Sequence, residues 1–251
     1  MPIKFSILLN KYKLKYKPLG SIAVLIEWPK AIEEPILKNI SIFRNKIHAD
    51  MGEYVLETVP AYNSLTVFFD TSKIKYSGVV SDLKEIYSTK DQKLLTAYKL
   101  WKIPVCYEAE FATDLEEISK HKKLKKEAIV KLHSKALYDV YFIGFLPGFL
   151  YLGGLDEKLH YKRRDKPRRE IRSGDVGIAG NQTGIYPRVS PGGWNIIGNS
   201  PINFFDLNVF PPCFAVAGDK VQFIPIDAEE HARIRQEVES GNYVPKSEIY
   251  G

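Results

Sequence analysis

The residues of this chain best suited to anion chemistry are the arginines and lysines of one short segment, residues 158–172. The segment holds eight basic and two acidic residues, whereas the rest of the chain has 28 of each. A guanidinium group can bind a carboxylate or a phosphate through two parallel hydrogen bonds. Such localised charge indicates an anion site and argues against a broad nucleic-acid surface. The alternative is a solvated loop with surplus arginine.

A glycine-rich stretch flanks this basic segment on both sides. Eleven of the 17 glycines lie between Gly144 and Gly198, in phrases such as GFLPGF, GNQTGIYP and SPGGW. Glycine lets another backbone or a ligand approach closely, and apolar walls with a few polar groups are typical of small-ligand sites. The alternative is that these residues only turn the corners of a barrel. The polar and aromatic side chains available here are Phe149, Gln182, Thr183, Tyr186, Ser190 and Trp194.

Two further residues are candidates for acid–base chemistry. Glu110 belongs to an acidic cluster with Glu108 and Asp114, and carboxylates often transfer protons in catalysis. Thr113 and Glu116 form a capping-box pattern that opens a helix at Asp114, and for Asp114 we favour capping of that helix, because negative charge is stabilising at a helix N-terminus. His133 follows an apolar helix face, so packing or capping is its simpler role, although imidazole can also act as acid or base near neutral pH.

Composition excludes several classes of protein. No run approaches the roughly 18 apolar residues that a membrane span needs. The two cysteines and five scattered histidines show no disulfide framework and no metal-ligand spacing. The chain contains no GxxxxGK[ST] phosphate loop, no GxSxG nucleophile elbow and no HExxH pair. We therefore expect a cytoplasmic protein without a resident metal site, bound neither to nucleic acid nor to a membrane.

Hydrophobic periodicity divides the chain into a small α+β N-terminal domain, residues 1–95, and a mainly-β domain, residues 96–251. In the first, Lys11–Lys17 alternates like an edge strand with lysines on its outer face. Apolar residues from Ile32 to Ile47 recur at helical spacing. Thr89–Leu100 is polar and then helix-like, and contains the boundary.

The second domain begins with the predicted strand Ile103–Tyr107 and two helices. Many short strands separated by glycine and proline follow, which indicates a sandwich or a closed barrel. Among them we predict Val140–Ile143, Lys220–Ile226 and Ile202–Phe205. A charged helix, Ala228–Ser240, follows the last strand.

At its glycine-rich phrases the sequence resembles a known family. GFLPGFLYLGGL, KPR, GDVGIAGNQTGIYP and SPGGWNIIG look like the signature of the carboxyltransferase subdomain C/D family. PVCYEAEFATDLEEIS, KLHS and VPAYNSLTV resemble further phrases of that family, and the resemblance covers roughly residues 15–225. The chain departs from the pattern at Gly20–Ser21 and at Tyr107–Glu110, where family members commonly carry Gly-acidic and Tyr-Gly-Gly-Glu.

The resemblance implies a cyclophilin-like β-barrel for the second domain. The family includes allophanate hydrolase subunit 1, Kip-type inhibitors of sensor histidine kinases, and the B subunit of bacterial ATP-dependent 5-oxoprolinase. It implies most directly the last role: a hydrolase component that opens 5-oxoproline to glutamate with the A and C subunits, using ATP and magnesium. Inhibition of a histidine kinase and a part in urea or allophanate amidolysis remain open as alternatives.

We combine the resemblance with the residue pattern to predict a site. Arg168, with Arg164 or Lys166, would neutralise a phosphate or carboxylate. Gln182, Thr183 and Tyr186 would position the lactam or sugar, while Phe149 and Trp194 exclude water. The predicted catalytic residues are Glu110, His133, Arg168, Gln182 and Tyr186. The predicted substrate- or nucleotide-binding residues are Gly144, Phe145, Pro147, Phe149, Arg164, Lys166, Thr183, Ser190, Gly192, Gly193 and Trp194.

Overall fold

A computed structural model describes residues 9–89 and 98–250, which form two compact units divided after residue 97. The N-terminal unit is a four-stranded antiparallel sheet in the order β1-β2-β4-β3 with two helices on one face. Its elements are β1 (Lys15–Leu19), β2 (Ala23–Glu27), α1 (Glu34–Met51), β3 (Val55–Pro60), β4 (Ser64–Phe69) and α2 (Tyr76–Ser88), after a 3₁₀ turn at Leu9–Lys11.

The hydrophobic stripe of α1 explains how this sheet is covered. Ile36, Ile40, Phe43 and Ile47 are buried in one cluster with the inward-facing residues of β2 and β4. The edge position of the lysine-rich strand is confirmed, because among the described strands β1 pairs with β2 alone. The strand begins at Lys15 rather than at Lys11.

The C-terminal unit contains a closed barrel of seven strands in the order β12-β9-β10-β7-β6-β13-β5, closed by pairing of β12 with β5. A further strand, β14, pairs with β5, and β8 and β11 form a separate two-stranded ribbon. The elements are β5 (Tyr98–Cys106), α3 (Leu115–Lys122), α4 (Lys126–Lys135), β6 (Tyr138–Ile143), β7 (Leu150–Gly153), a 3₁₀ turn (Glu157–Leu159), β8 (Arg168–Ile171), β9 (Asp175–Ala179), β10 (Gln182–Ile185), β11 (Ser190–Gly192), β12 (Asn195–Asn199), β13 (Lys220–Ile226), α5 (Ala228–Glu239) and β14 (Lys246–Tyr250).

Two element predictions are wrong in the described residues. Ile202–Phe205 forms no strand. Ile202 and Phe204 are buried against the barrel core, so the segment has the alternating burial of a strand without a partner strand. The helix-like reading of Thr89–Leu100 falls mostly outside the described residues, and its last part, Tyr98–Leu100, begins β5 instead.

The barrel interior includes a histidine, His133 of α4. It is fully buried, its ring stacks on Phe223 at 4.5 Å, and its two nitrogens lie 2.8 Å from the Tyr107 hydroxyl and 3.0 Å from the Thr183 hydroxyl. Burial lowers the pKa of His133 to about 3. The ring is therefore neutral at physiological pH and serves as a polar core residue that links α4 to β10.

A buried carboxylate, Asp114, ties the basic segment to the barrel. The Asp114 side chain is only 3% exposed and accepts two hydrogen bonds from Arg168, at 2.6 and 2.8 Å, and one from Arg164, at 2.9 Å. It also accepts the backbone N–H of Ile196 in β12 at 2.6 Å. The cap predicted for Asp114 is wrong: Asp114 occupies the position before α3, but its carboxylate makes no capping bond, because two guanidinium groups and the Ile196 N–H of β12 bind it.

We expect Asp114→Asn to lower the free energy of unfolding of the barrel by about 3 kcal/mol, because it leaves two arginines without their buried counter-charge. Urea titration followed by circular dichroism measures this change. Asp165→Asn is the matched control, because its ion pair with Lys162 is exposed and such pairs contribute less than about 1 kcal/mol. Equal stability of the two variants would contradict the structural role of Asp114.

The buried histidines predict a loss of stability in mild acid. Burial also lowers the pKa of His231 to about 4, and its ring lies 2.8 Å from the Asn199 side chain. Below pH 6.5 the unfolded chain binds a proton at His133 and at His231 that the folded barrel excludes, so the unfolding free energy falls as pH falls. The expected loss between pH 7.5 and pH 5 is about 2 kcal/mol for each histidine. Denaturant titrations across this range should show that His231→Gln loses about half as much unfolding free energy between pH 7.5 and pH 5 as the unchanged chain. An equal loss in the two proteins would contradict a lowered pKa for His231.

Candidate functional site

A pocket of about 400 Å³ opens on the outer surface of the barrel sheet, where β7, β9 and β10 approach the ribbon strand β11. Successive side chains of a strand point to opposite faces of its sheet. Thr183 and Ile185 of β10 therefore point into the barrel core, while the Gln182 side chain lies on the pocket side, as would any side chain at position 184. The pocket is lined by Phe145, Phe149, Tyr151, Arg163, Ala179, Gly180, Asn181, Gln182, Tyr186, Gly192 and Trp194.

Aromatic rings form the walls of this pocket. Phe149, Tyr186 and Trp194 are buried and lie nearly perpendicular to one another, with centroid distances of 5.1 to 6.4 Å. Edge-to-face pairs of this kind stabilise one another beyond simple burial. Tyr151 packs against Phe149 and Trp194 and completes the floor. The rings thus form a rigid, preformed apolar surface.

Gly184 explains why the GNQTGIYP phrase needs glycine. A Cβ atom there would lie 2.8 Å from the Leu150 carbonyl oxygen, 3.0 Å from the Trp194 ring and 3.1 Å from the Phe149 ring. The absence of a side chain on β10 lets both rings lie directly against the sheet. This glycine therefore shapes the pocket floor.

The pocket rim carries an aromatic residue in an unusual backbone conformation. Phe145 has a φ of +66° and is 61% exposed. Bulky residues seldom adopt positive φ, and the conformation costs on the order of 1 kcal/mol. Its ring stands perpendicular to Phe149 and Tyr186, so the turn between β6 and β7 holds an exposed apolar group over the pocket.

A cation that the sequence prediction missed, Arg163, faces the pocket. Among the residues that the structure describes, it is the single charged member of the pocket lining. The prediction favoured Arg168 and Arg164, but both of these arginines form ion pairs with Asp114. That pairing raises the pKa of Arg168, so this guanidinium stays charged but already has a carboxylate partner. Sequence offers no signal for this choice, because neighbouring arginines in a loop can point in different directions.

The described part of the pocket contains no group that exchanges a proton near neutral pH. Its lining includes no aspartate, glutamate, histidine or lysine. Burial raises the pKa of Tyr186 to about 12, and its hydroxyl accepts a hydrogen bond from the Trp194 backbone N–H. Burial also raises the pKa of Tyr151. The pocket can therefore bind and orient a ligand, but these residues provide neither an acid nor a base.

A second pocket of about 360 Å³ shares Arg163 with the first. Its other cations are Lys162, Arg164 and Lys166, and its carboxylates are Glu117 and Asp165. Arg164 also lies 3.6 Å from Glu117 and 2.9 Å from Asp114, so much of the positive charge is already balanced. Lys166 is exposed, as Arg163 is.

The structure brings six of the predicted residues into the aromatic pocket and leaves the others elsewhere. The six are Phe145, Phe149, Gln182, Tyr186, Gly192 and Trp194. Arg164 and Lys166 line the second pocket, and Arg168 binds Asp114. The remaining predicted residues do not line the aromatic pocket: Gly144 and Pro147 in the turn before β7, Ser190 buried in β11, Gly193 whose carbonyl accepts the Arg164 N–H, Thr183 and His133 in the barrel interior, and Glu110 exposed after β5.

Within residues 9–89 and 98–250, no group of three histidine, cysteine, aspartate or glutamate side chains is arranged to hold a metal ion. Among the described helices, none is both long and apolar enough to cross a bilayer. Cys106 and Cys213 are both free thiols.

Comparison with known proteins identifies relatives along most of the chain. The carboxyltransferase domain, subdomain C and D, matches residues 14–215. The 5-oxoprolinase B subunit of Bacillus subtilis is 33% identical over 235 residues, which cover 90% of this chain and 98% of that protein. Its counterpart in Haemophilus influenzae is 36% identical over 207 residues, which cover 82% and 95% of the two chains.

A solved structure shares the fold at lower identity. The Kluyveromyces lactis urea amidolyase superposes with a TM-score of 0.80 and 20% identity, covering 100% of this chain and 17% of that one. At this identity the similarity concerns the two-part α+β fold alone. The resemblance seen in the glycine-rich phrases is thus confirmed by a match that spans both units, and the chain belongs to the carboxyltransferase subdomain C and D family.

Proposed function

We propose that this chain is the B subunit of an ATP-dependent 5-oxoprolinase, which opens 5-oxoproline to glutamate together with the A and C subunits. The Bacillus subtilis and Haemophilus influenzae relatives, whose matches cover most of both chains, are B subunits of 5-oxoprolinase by name. The observation that carries the proposal is the aromatic pocket, whose described lining has groups to bind a small ligand but none that titrates near neutral pH. That combination suits one component of a catalyst whose acid–base groups come from a partner.

The pocket's chemistry suits a flat lactam. The ring of 5-oxoproline can lie against Trp194 and Phe149, which keep water from its faces. The Gln182 amide has both a donor and an acceptor for the lactam carbonyl and N–H. In the proposed reaction the lactam C–N bond breaks, the hydroxyl of water adds to the carbonyl carbon, and the remaining proton of water goes to the nitrogen, which leaves as the amine of glutamate.

The described residues of the pocket do not fit ATP with magnesium. The lining offers no carboxylate to hold the metal and one guanidinium for the several negative charges of the nucleotide. The sequence also lacks a recognisable phosphate loop. We therefore assign nucleotide binding to a surface that the partner subunits complete, and derive no step of the reaction through it on this chain.

The finer structural assignments belong to the same proposal. We infer that the barrel is cyclophilin-like and that it forms a domain beginning near residue 96. We also infer a cytoplasmic location, in keeping with two free thiols. Inhibition of a histidine kinase, the alternative raised by the sequence, would not involve 5-oxoproline. The assay of glutamate release described below therefore distinguishes it from the proposed function.

The proposal predicts glutamate release that depends on ATP, on 5-oxoproline and on all three subunits. This chain alone should release none, because its pocket provides no acid or base among the described residues. In the complex, Gln182→Ala should raise the KM for 5-oxoproline about tenfold, the effect of losing about 1.4 kcal/mol of net hydrogen bonding to the lactam. Steady-state glutamate measurements test both statements.

Gln222→Ala is the matched control, because Gln222 lies on β13 and does not line the pocket. It should leave KM unchanged. Full activity of the isolated chain would contradict the division between subunits. Turnover of allophanate or urea in place of 5-oxoproline would assign the complex to amidolysis of urea derivatives instead.

A further inference from the structure

We propose that Arg163 is the carboxylate anchor of the aromatic pocket, which makes this pocket selective for a small, flat monoanion. The ligand's identity as 5-oxoproline rests on the proposed function, but its chemical class rests on the pocket alone. Arg163 would bind the carboxylate through paired hydrogen bonds while the ring packs on Trp194. Arg163 thereby determines specificity without taking part in the chemical step.

The backbone on both sides of Arg163 is held rigidly. The Lys162 carbonyl accepts the Asn195 side-chain amide at 2.8 Å, and the Arg164 N–H donates to the Gly193 carbonyl at 2.8 Å. Tyr161, two residues earlier, exchanges two backbone hydrogen bonds with Gly180, at 2.7 and 3.0 Å. Because this backbone is already ordered, binding a ligand through Arg163 costs the rotamer freedom of its side chain but no ordering of a loop.

The Arg164 side chain adds a further attachment. Its guanidinium binds the buried Asp114 carboxylate, so the residue next to Arg163 is fixed at both its backbone and its side chain. The segment is thus anchored to β12, to the turn after β9 and to the residue preceding α3. The backbone that carries Arg163 is therefore held in place by its neighbours on both sides.

The charge of Arg163 is available to a ligand in this pocket. In the part of the chain that the structure describes, no carboxylate pairs with Arg163, whereas Arg164, Arg168 and Lys162 each have one. The positive charge also lies near two phenols of the lining: it opposes the larger effect of burial on the pKa values of Tyr151 and Tyr186. An anion in the pocket would therefore meet a single, uncompensated guanidinium.

A single cation in an aromatic pocket without carboxylates selects by charge and by shape. A neutral lactam leaves the guanidinium without a counter-charge, whereas a dianion such as phosphate exceeds the available positive charge and gains nothing from the rings. A monocarboxylate with a flat ring satisfies both parts of the pocket. Phosphate bound in the second pocket, through Lys166 and Arg163, is the competing arrangement that the experiment must distinguish.

The test is calorimetric titration of the full chain with L-5-oxoproline, with 2-pyrrolidone, which lacks the carboxylate, and with inorganic phosphate. The unchanged chain should bind 5-oxoproline about 10- to 100-fold more tightly than 2-pyrrolidone, the range expected for a hydrogen-bonded charge. Arg163→Gln should abolish this difference, and Arg163→Lys should retain part of it. Arg169→Gln is the matched control, because Arg169 is exposed in the same segment and lines neither pocket.

In the assembled complex, Arg163→Gln should raise the KM for 5-oxoproline about 10- to 100-fold while kcat changes little, because the residue binds substrate but performs no chemistry. Equal affinity of the unchanged chain for 5-oxoproline and 2-pyrrolidone, tighter binding of phosphate, or no binding of any carboxylate would overturn the inference. An unaltered KM in Arg163→Gln with active glutamate release would overturn the anchor and leave the proposed function intact. Arg163-dependent carboxylate binding without glutamate release would support the anchor and overturn the proposed function.

Discussion

The Asp114 carboxylate is the interaction on which the arrangement of the site depends. It joins Arg164 and Arg168 of the basic segment to the backbone of β12, and so holds that segment against the barrel. A buried charge of this kind is tolerated because two guanidinium groups and a backbone N–H surround it. As a consequence, Arg164 and Arg168 are paired with a buried carboxylate, whereas their neighbour Arg163 lines the pocket.

The absence of a side chain at Gly184 shapes the outer face of the barrel. Residues along a barrel strand point alternately to the core and to the exterior. On β10 the exterior position 184 is a glycine and has no side chain. Trp194 and Phe149 occupy that space, so their rings rest on the backbone and leave a hollow between the sheet and the ribbon. The same pattern keeps Thr183 on the other face, where it completes the buried hydrogen bonds of His133.

The polar side chains of His133 and Thr183 have hydrogen-bond partners within the barrel core, whereas those of the pocket lining face the space of the pocket. Inside the barrel, each nitrogen of His133 lies within hydrogen-bond distance of a hydroxyl, and burial keeps the ring neutral. In the pocket, Arg163 and Gln182 offer polar groups to the space that a ligand would fill. A site of this composition can recognise a ligand by shape and charge, but its described lining supplies no aspartate, glutamate, histidine or lysine for acid–base chemistry.

The sequence alone determined the division into an α+β unit and a mainly-β unit, the amphipathic helix α1, the family, and the aromatic and glycine-rich composition of the pocket, because periodicity and local phrases encode these features. It did not determine which arginine lines the pocket or that Asp114 binds arginine instead of capping α3. Those outcomes depend on partners 50 to 82 residues away along the chain. Only the tertiary structure brings such residues within hydrogen-bond distance, and only there does burial decide which charges are already balanced and which remain free to bind.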